Sequence, residues 1–437
     1  MPRLRIRSAS WLLLAQVATK VLSLPVGIIL ARSLGPAGKG SLSILQLVAG
    51  TSIVIFDFGL SASLTYYAAR GEAHGRDAIR LVLSIALAVV SCLALLYLLF
   101  GQWFALSVLH TDQQVLVLVA VLAVGPGLVG SLTQSFVIGS GSVRRASMVT
   151  MGTLLFQLVA YAAVWALHLL TLPIAVGIWF GATVIEASVL LALASRVKAV
   201  AVAPGLGALI ARSWRLGMVM WIAGTVGFAA NRVDMYLLAF FKGTGPVGIY
   251  SIAVTFAELV FFIPTALNGV MFPKTAAERE TVLPLTLRVC RTVWPLVALC
   301  AAGVFGAAVL LVPFMYGAMF AGAIPALAVL LVGTVPLSLT GAMATYLAGT
   351  GHARDWTIAA AGNLTVNVLL NLTLIPRFSI LGAAASSAVS YLVAVVITTA
   401  FFVNRTHARL SDLLVPRPAE FMEFGQALRR ALGGASD

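Results

Sequence analysis

Long apolar runs follow one another from about residue 9 to residue 403, separated only by short stretches rich in charge, glycine or proline. Cut at those stretches, a first series falls at roughly 9–32, 41–67, 79–100, 114–139, 147–169 and 172–195. A second falls at roughly 216–241, 248–273, 289–314, 323–349, 356–376 and 379–403. Each run is long enough for a helix to cross a hydrocarbon layer, which takes about 20 residues. None shows the two-residue alternation of a membrane-barrel strand. The pattern predicts an all-α polytopic membrane protein of twelve transmembrane helices. Composition points the same way: 61% of the 437 residues are hydrophobic and 10% charged, against roughly 25% charged in a soluble domain. The three cysteines, Cys92, Cys290 and Cys300, lie unpaired inside apolar runs and read as small core hydrophobes.

Arg3, Arg5 and Arg7 precede a first run that reaches Arg32, too long for a cleaved signal sequence, so it reads as a retained span. With the N-terminus in the cytoplasm, the inner segments hold 22 of the 28 lysines and arginines. The outer loops hold only Arg32, Lys39, Lys242 and Arg377, and the spans Lys20 and Arg232. Retention of basic residues marks cytoplasmic loops, and a missed helix would scramble the alternation. Both termini are therefore expected in the cytoplasm. The net charge of +14 reflects this topology and contact with anionic lipid, and calls for no nucleic-acid partner. In the tail, 404–437, Phe421, Phe424 and Leu428 stand at helical spacing beside Arg429 and Arg430, the pattern of a short interfacial helix or of a disordered tail.

The chain repeats itself at a constant offset. Gly35-Pro36-Ala37-Gly38 recurs as Gly245-Pro246-Val247-Gly248, an offset of 210. At the same offset Gly59 meets Gly269, Pro126 meets Pro336, Gly152 meets Gly362, and Gly139-Ser140-Gly141 with Arg144 meets Gly349-Thr350-Gly351 with Arg354. Several matches in register indicate a duplication into lobes 1–200 and 201–403. Six spans per lobe is an even number, so the repeat is parallel. Such lobes are related by an axis along the membrane normal, and rocking one against the other can open the cleft between them to either side, the geometry of alternating access. Pro25, Pro126, Pro264 and Pro336 fall within spans as candidate kinks.

Lys20, Asp57, Glu186, Arg232, Asp234 and Glu258 lie well inside the runs. A charge facing lipid at the bilayer centre costs at least about 2.5–3.5 kcal/mol, so these groups are expected to face one another or water. Arg232 and Asp234 are separated by about 200° around a helix, whereas Asn231 and Asp234 share a face. Matched depths on antiparallel neighbours predict an Arg232–Glu258 ion pair. Asn363, Asn367 and Asn371 form a stripe at four-residue spacing, with Gln157 at the place equivalent to Asn367 in the first half. The stripe is either a cavity wall for a polar substrate or inter-helix hydrogen bonding. Pocket residues are thus Lys20, Arg232, Asn231, Asp234, Gln157, Asn363 and Asn367, with Asp57, Glu186 and Glu258 in charge pairing or ion coupling.

No GxxxxGK[ST] loop for a nucleotide is present. The histidines, His74, His110, His168, His352 and His407, fall in or near loops without metal-ligand spacing. Asp112 is the only acidic residue expected outside, too few for a glycosyltransferase acting there. Neither enzyme activity, nor a cofactor, nor a metal is expected.

Ala31-Arg32-Ser33-Leu34-Gly35-Pro36-Ala37-Gly38-Lys39-Gly40, Phe58-Gly59-Leu60, Arg232-Val233-Asp234 and Val247-Gly248-Ile249-Tyr250-Ser251-Ile252-Ala253 together resemble the Wzx-type polysaccharide flippases. These are members of the MATE-like multidrug/oligosaccharidyl-lipid/polysaccharide superfamily, and the resemblance covers about 9–403. It implies a V-shaped pair of six-helix lobes that moves an undecaprenyl-pyrophosphate-linked oligosaccharide across the bacterial inner membrane for cell-surface polysaccharide synthesis. Membrane lipids and other polysaccharide assembly proteins are the implied partners. A pyrophosphate would need a cation such as Lys20 or Arg232. The intramembrane charges, two positive and four negative, leave room for a MATE-like exporter of organic cations, in which Asp57, Asp234 and Glu258 would bind drug or proton. A non-transporting membrane scaffold is the other alternative.

Overall fold

Helices account for all the regular structure among the described residues of the computed structural model, which are 2–72, 74–107, 114–197, 218, 221–222, 224–261, 264 and 279–417. Among the described residues, eight helices are long and apolar enough to cross a membrane; two of them, 18–56 and 354–406, span 39 and 53 residues, enough to cross twice. Large apolar side chains cover their outer faces, with Leu98 79% and Phe314 78% exposed. Only a bilayer makes such a surface tolerable, and only helices satisfy the backbone within it. The chain is a multi-pass membrane protein.

Two compact units are present, Met1–Ile252 with Leu311–Ala323 and Asn371–Ala383, and Ala253–Leu310 with Ile324–Leu370 and Ala384–Asp437. In the first unit α1 (Pro2–Phe56) is two arms joined at Gly35, whose φ of 65° and ψ of −178° stop the helix. Then come α2 (Leu60–Ala69), α3 (Gly75–Ser107), α4 (Gln114–Gly139), α5 (Val143–Ala166) and α6 (Leu172–Ala194). Helix α4, apolar all round, takes the central place and packs against α1, α2, α3 and α6. Leu128, Leu132 and Phe136 of α4, Leu64 of α2 and Leu81 of α3 make its core. Lipid is as apolar as leucine, so close packing rather than release of water holds these helices together. Helices α7 (Val233–Lys242) and α8 (Thr244–Leu259) follow.

The second unit contains most of α9 (Arg279–Leu311), α10 (Ala323–Gly349) and α11 (Ala353–Thr406), and the short α12 (Leu410–Leu414). Helix α11 breaks at Ser379 (φ 51°). A straight helix of 54 residues would be about 80 Å long, yet Asp355 meets Arg405 at 3.1 Å and Asn367 meets Ser390 at 3.0 Å. Its arms therefore lie antiparallel. The second arm offers Ala383, Ala384, Ser386, Ser387 and Ser390 to its neighbours, and a Cβ on Gly333 of α10 would overlap the Ala388 backbone, the tight approach that small residues allow in membranes.

Two turns share one backbone conformation. After α4, Gly141 has φ 85° and Ser142 N–H returns to the Val137 carbonyl; after α10, Gly351 has φ 91° and His352 N–H returns to the Leu347 carbonyl. These turns match at the offset of 210. The first match is different. Gly245 is helical, and the conformational twin of Gly35 is Gly243, with φ 76° and ψ −174°. Gly40 and Gly248 then meet reciprocally: a Cβ on Gly40 would strike the Thr244 carbonyl and the Gly248 nitrogen, and one on Gly248 the Pro36 carbonyl and the Gly40 nitrogen. The register here is 208, because two fewer residues separate the two turns in the first half than in the second. The GPxG strings align by composition two residues away from where the backbones correspond. Gly269 and the residues Phe421, Phe424, Leu428, Arg429 and Arg430 lie outside the described residues. Cys290 is buried as expected, but Cys92 stands on an exposed face of α3.

Candidate functional site

Several charged residues expected at bilayer depth stand where a helix stops, and continuous spans at 41–67 and 216–241 are not what forms. At the first break, Phe58 and Gly59 take φ 47° and 73° between α1 and α2. Asp57 Oδ2 accepts the Gly59 N–H at 3.0 Å, and Oδ1 accepts the Ser61 N–H at 3.3 Å and the Ser61 hydroxyl at 2.5 Å. A carboxylate there satisfies the free N–H groups of α2 and sits at the positive end of its dipole. Across the break, the Val54 and Ile55 carbonyls of α1 accept the Trp221 indole N–H at 3.0 and 3.1 Å, and the Trp221 ring lies 5.5 Å from Phe58. Interrupted backbone at membrane depth needs such enclosure by protein or an adjoining wet cavity.

The second break is the turn Asn231-Arg232 between helical residues 224–230 and α7. Asn231 is exposed and donates its amide to the Gly227 carbonyl at 2.9 Å. Asp234, in the first turn of α7, is 2% exposed and accepts the Tyr250 hydroxyl of α8 at 2.6 Å. The shared face expected of Asn231 and Asp234 does not exist, because a turn rather than a helical step joins them. Arg232, half-buried, occupies the N-cap position of α7. Tyr236, one turn further, donates to Thr51 of α1 at 2.8 Å. Glu258 is in the last turn of α8, ahead of a turn at 260–261.

Glu186 occupies a different environment. A cavity of about 310 Å³ within the first unit is lined by Gln46, Gly50 and Ile53 of α1, Pro126, Ser131 and Gln134 of α4, and Trp179, Thr183 and Glu186 of α6. The Gln134 amide donates to the Thr150 hydroxyl at 2.9 Å, and that hydroxyl donates to Glu186 Oε1 at 2.9 Å. A relay of neutral donors thus ends on the one ionisable side chain lining the chamber. Pro126 lacks an N–H and so frees the Leu122 carbonyl from the α4 ladder. The volume is at the lower limit of sites for drug-sized ligands, about 300 Å³. The chamber suits water and an ion or proton, and is far too small for an oligosaccharide.

The asparagine stripe belongs to the hairpin of α11. Asn367, fully buried, donates to Ser387 at 3.2 Å and Ser390 at 3.0 Å on the opposite arm, which is inter-helix hydrogen bonding. Asn363 is 7% exposed and its Oδ1 meets no donor among the described residues; Asn371 is fully buried. Gln157 is half-buried on α5, and Lys20 half-buried on the first arm of α1, where its carbonyl accepts the Ser23 hydroxyl at 2.7 Å. The structure joins Glu186 to Gln46, Gln134 and Thr150, which sequence reasoning did not select. The cost of burying an uncharged amide, already applied to the asparagines, would have singled out Gln46 and Gln134. Nothing in the sequence marks Thr150 or Trp221.

Among known proteins, the sequence model of the family described as "Polysaccharide biosynthesis protein" matches residues 6–277. Probable flippase AglR of Haloferax volcanii is 25% identical over 186 residues, 39% of this chain and 37% of that protein. The match thus spans a little over a third of that relative. An inward-facing multidrug resistance MATE family transporter of the MOP superfamily superposes with a TM-score of 0.69 at 14% identity, over 89% of this chain and 94% of that one. Lipid II flippase MurJ in an inward closed conformation gives 0.69 at 12% identity, over 92% and 88%. A MOP superfamily transporter from Pyrococcus furiosus gives 0.62 at 15%, over 92% and 94%. At these identities the likeness is one of fold.

Proposed function

The chain belongs to the polysaccharide biosynthesis protein family, and from that premise we propose that it is a flippase. It carries an undecaprenyl-pyrophosphate-linked oligosaccharide from the cytoplasmic to the outer leaflet of a bacterial inner membrane, by alternating access. The family match over 6–277 carries the reading. The relative named as a probable flippase and the fold shared with a lipid II flippase support it.

Twelve spans with both termini in the cytoplasm, in lobes 1–200 and 201–403, are part of the proposal. Two double-length helices among the eight of the described residues, with the helical residues 224–230, Val233–Lys242 and Thr244–Leu259, support that number. In this scheme Lys20 and Arg232 meet the pyrophosphate, while Asn231, Gln157 and Asn363 offer hydrogen bonds to sugar. Asp57, Asp234 and Asn367 are held by local partners and act in positioning. The Arg232–Glu258 pair remains part of the proposal, and a charge exchange at the two positions that restores what either single change destroys would support it. Glu186 and its relay are the coupling group. Transport without nucleotide hydrolysis needs a gradient, and one charge crossing 100 mV supplies about 2.3 kcal/mol.

The test is complementation. Expression in a strain lacking its own polysaccharide flippase restores surface polysaccharide, and Lys20→Ala or Arg232→Ala abolishes the rescue. A failed rescue by well-expressed protein, with resistance to cationic dyes gained instead, refutes the proposal. It would favour the second reading, an ion-coupled exporter of organic cations, for which the acidic Glu186 in the chamber speaks.

A further inference from the structure

Beyond the second arm of α11 the chain turns at His407 (φ 55°) and continues as α12. Two long side chains of α9 hold α12 in place. The Arg291 guanidinium donates to the Asp412 carbonyl at 3.1 Å, and the Trp294 indole N–H to the Leu414 carbonyl at 3.1 Å. Leu413 is 2% exposed and packs in a cluster with Cys290, Leu339, Met343 and Phe402. Leu410 and Leu414 are 56% and 45% exposed, so α12 is a strap fixed on one face and apolar on the other. A short apolar helix of this kind is a furnishing of a membrane interface.

Between α12, α10 and the second arm of α11 lies a cavity of about 420 Å³ lined by Met343, Val396, Thr399, Leu410, Leu413 and Leu414 among others. Among the described residues Thr399 brings the only side-chain hydroxyl in the lining, and it is turned onto the Met343 sulfur at 3.8 Å. Water needs two or more polar partners, so a chamber with such walls stays dry and accepts an apolar guest. Its lining residue Val396 is 67% exposed, so the chamber is open to the lipid side. At roughly 30 Å³ for each methylene-sized group, the share a water takes in the liquid, there is room for about fourteen. That is one hydrocarbon chain, not two.

The chain on either side of α12 is basic. Arg405, Arg409 and Arg417 flank α12, and Arg288 and Arg291 lie on α9. Against them stand Asp355 and Asp412, engaged by Arg405 at 3.1 Å and Arg417 at 3.7 Å. Arg409 is exposed and makes no ion pair among the described residues. We propose that this chamber binds one acyl chain of an anionic phospholipid, whose phosphate is held at Arg409. Charge complementarity selects the lipid class, and the dry walls select the chain.

The full-length protein, stripped of lipid in detergent, is titrated with phosphatidylglycerol or phosphatidylcholine of identical chains, and bound lipid is counted by native mass spectrometry. One saturable phosphatidylglycerol is expected per protein, bound about fivefold more tightly than phosphatidylcholine, the factor for one basic group near an anionic surface. Arg409→Gln is expected to erase the difference between the lipids, and Val396→Trp and Ala400→Trp to remove the saturable site by filling the chamber. Because Arg409 is exposed, its variant keeps the test decisive should either tryptophan variant fail to fold. Equal binding of the two lipids, or a saturable site that survives in folded tryptophan variants, overturns the proposal. Binding that emerges only after deletion of 418–437 makes that segment the occupant and overturns it as well. Displacement by stoichiometric undecaprenyl phosphate places the chamber on a transport path and likewise overturns it.

Discussion

Replacing Tyr250 by phenylalanine deletes one oxygen atom from a dry interior and tests what holds α7 to α8. The Tyr250 hydroxyl donates to Asp234 Oδ2 at 2.6 Å, with Tyr250 fully buried and Asp234 2% exposed. A hydrogen bond to a charged group contributes about 1.5–3 kcal/mol net, whereas neutral side-chain bonds between membrane helices average about 0.6 kcal/mol. Water cannot replace the lost donor at a site so enclosed, so Tyr250→Phe should cost about 2 kcal/mol, a roughly thirtyfold fall in the folding constant. Asp234→Ala costs more alone, because it also leaves a void, but in the double-mutant cycle that excess cancels. Reversible unfolding in mixed detergent micelles, followed by circular dichroism, measures all four proteins. The coupling energy should be about 2 kcal/mol, with Asp234→Asn, which keeps an acceptor but loses the charge, in between. A coupling below about 0.5 kcal/mol would mean that the hydrogen bond does not have the strength of one to a charged group, and the view of Asp234 as a positioning residue would fail with it.

Three other substitutions separate packing from transport. Gly40→Leu drives a side chain into the Thr244 carbonyl and the Gly248 nitrogen, backbone that cannot rotate away, and should cost about 3 kcal/mol or more. Gly35→Ala, with open space around its Cβ, meets only the strain of a positive φ with an extended ψ, about 1–3 kcal/mol; a lower melting point for Gly35→Ala than for Gly40→Leu would contradict this. Asn367→Leu should lose about 0.6 kcal/mol and at most about 1.7 kcal/mol while complementation stays intact, whereas loss of transport in a stable variant would return the asparagine stripe to a cavity wall. Glu186→Gln keeps an acceptor for Thr150 and should melt within about 0.5 kcal/mol of the parent. Its flipping, measured in proteoliposomes, should no longer respond to an imposed proton or sodium gradient, and an unchanged response would remove Glu186 from the coupling scheme.

That the chain is built of helices apolar enough to cross a membrane was legible in the sequence because it rests on a local quantity. The cost of exposing backbone or charge to hydrocarbon accumulates residue by residue, so twenty apolar residues in a row announce a helix wherever they sit. The turns at Gly141 and Gly351 are likewise written in a few neighbouring residues, which is why their offset of 210 survived into the backbone. What the charged residues do was not legible. Asp57 serves its own helix end, Asp234 finds Tyr250 sixteen residues away, and Glu186 finds Thr150 thirty-six residues away. Trp221 closes a break 167 residues distant. Hydropathy shows that a buried charge needs a partner, but only packing brings one within 3 Å. The breaks at 57–59 and 231–232 escaped for the same reason. An apolar run interrupted by turns reads like a continuous one, since the neighbours that supply the missing hydrogen bonds come from elsewhere in the chain.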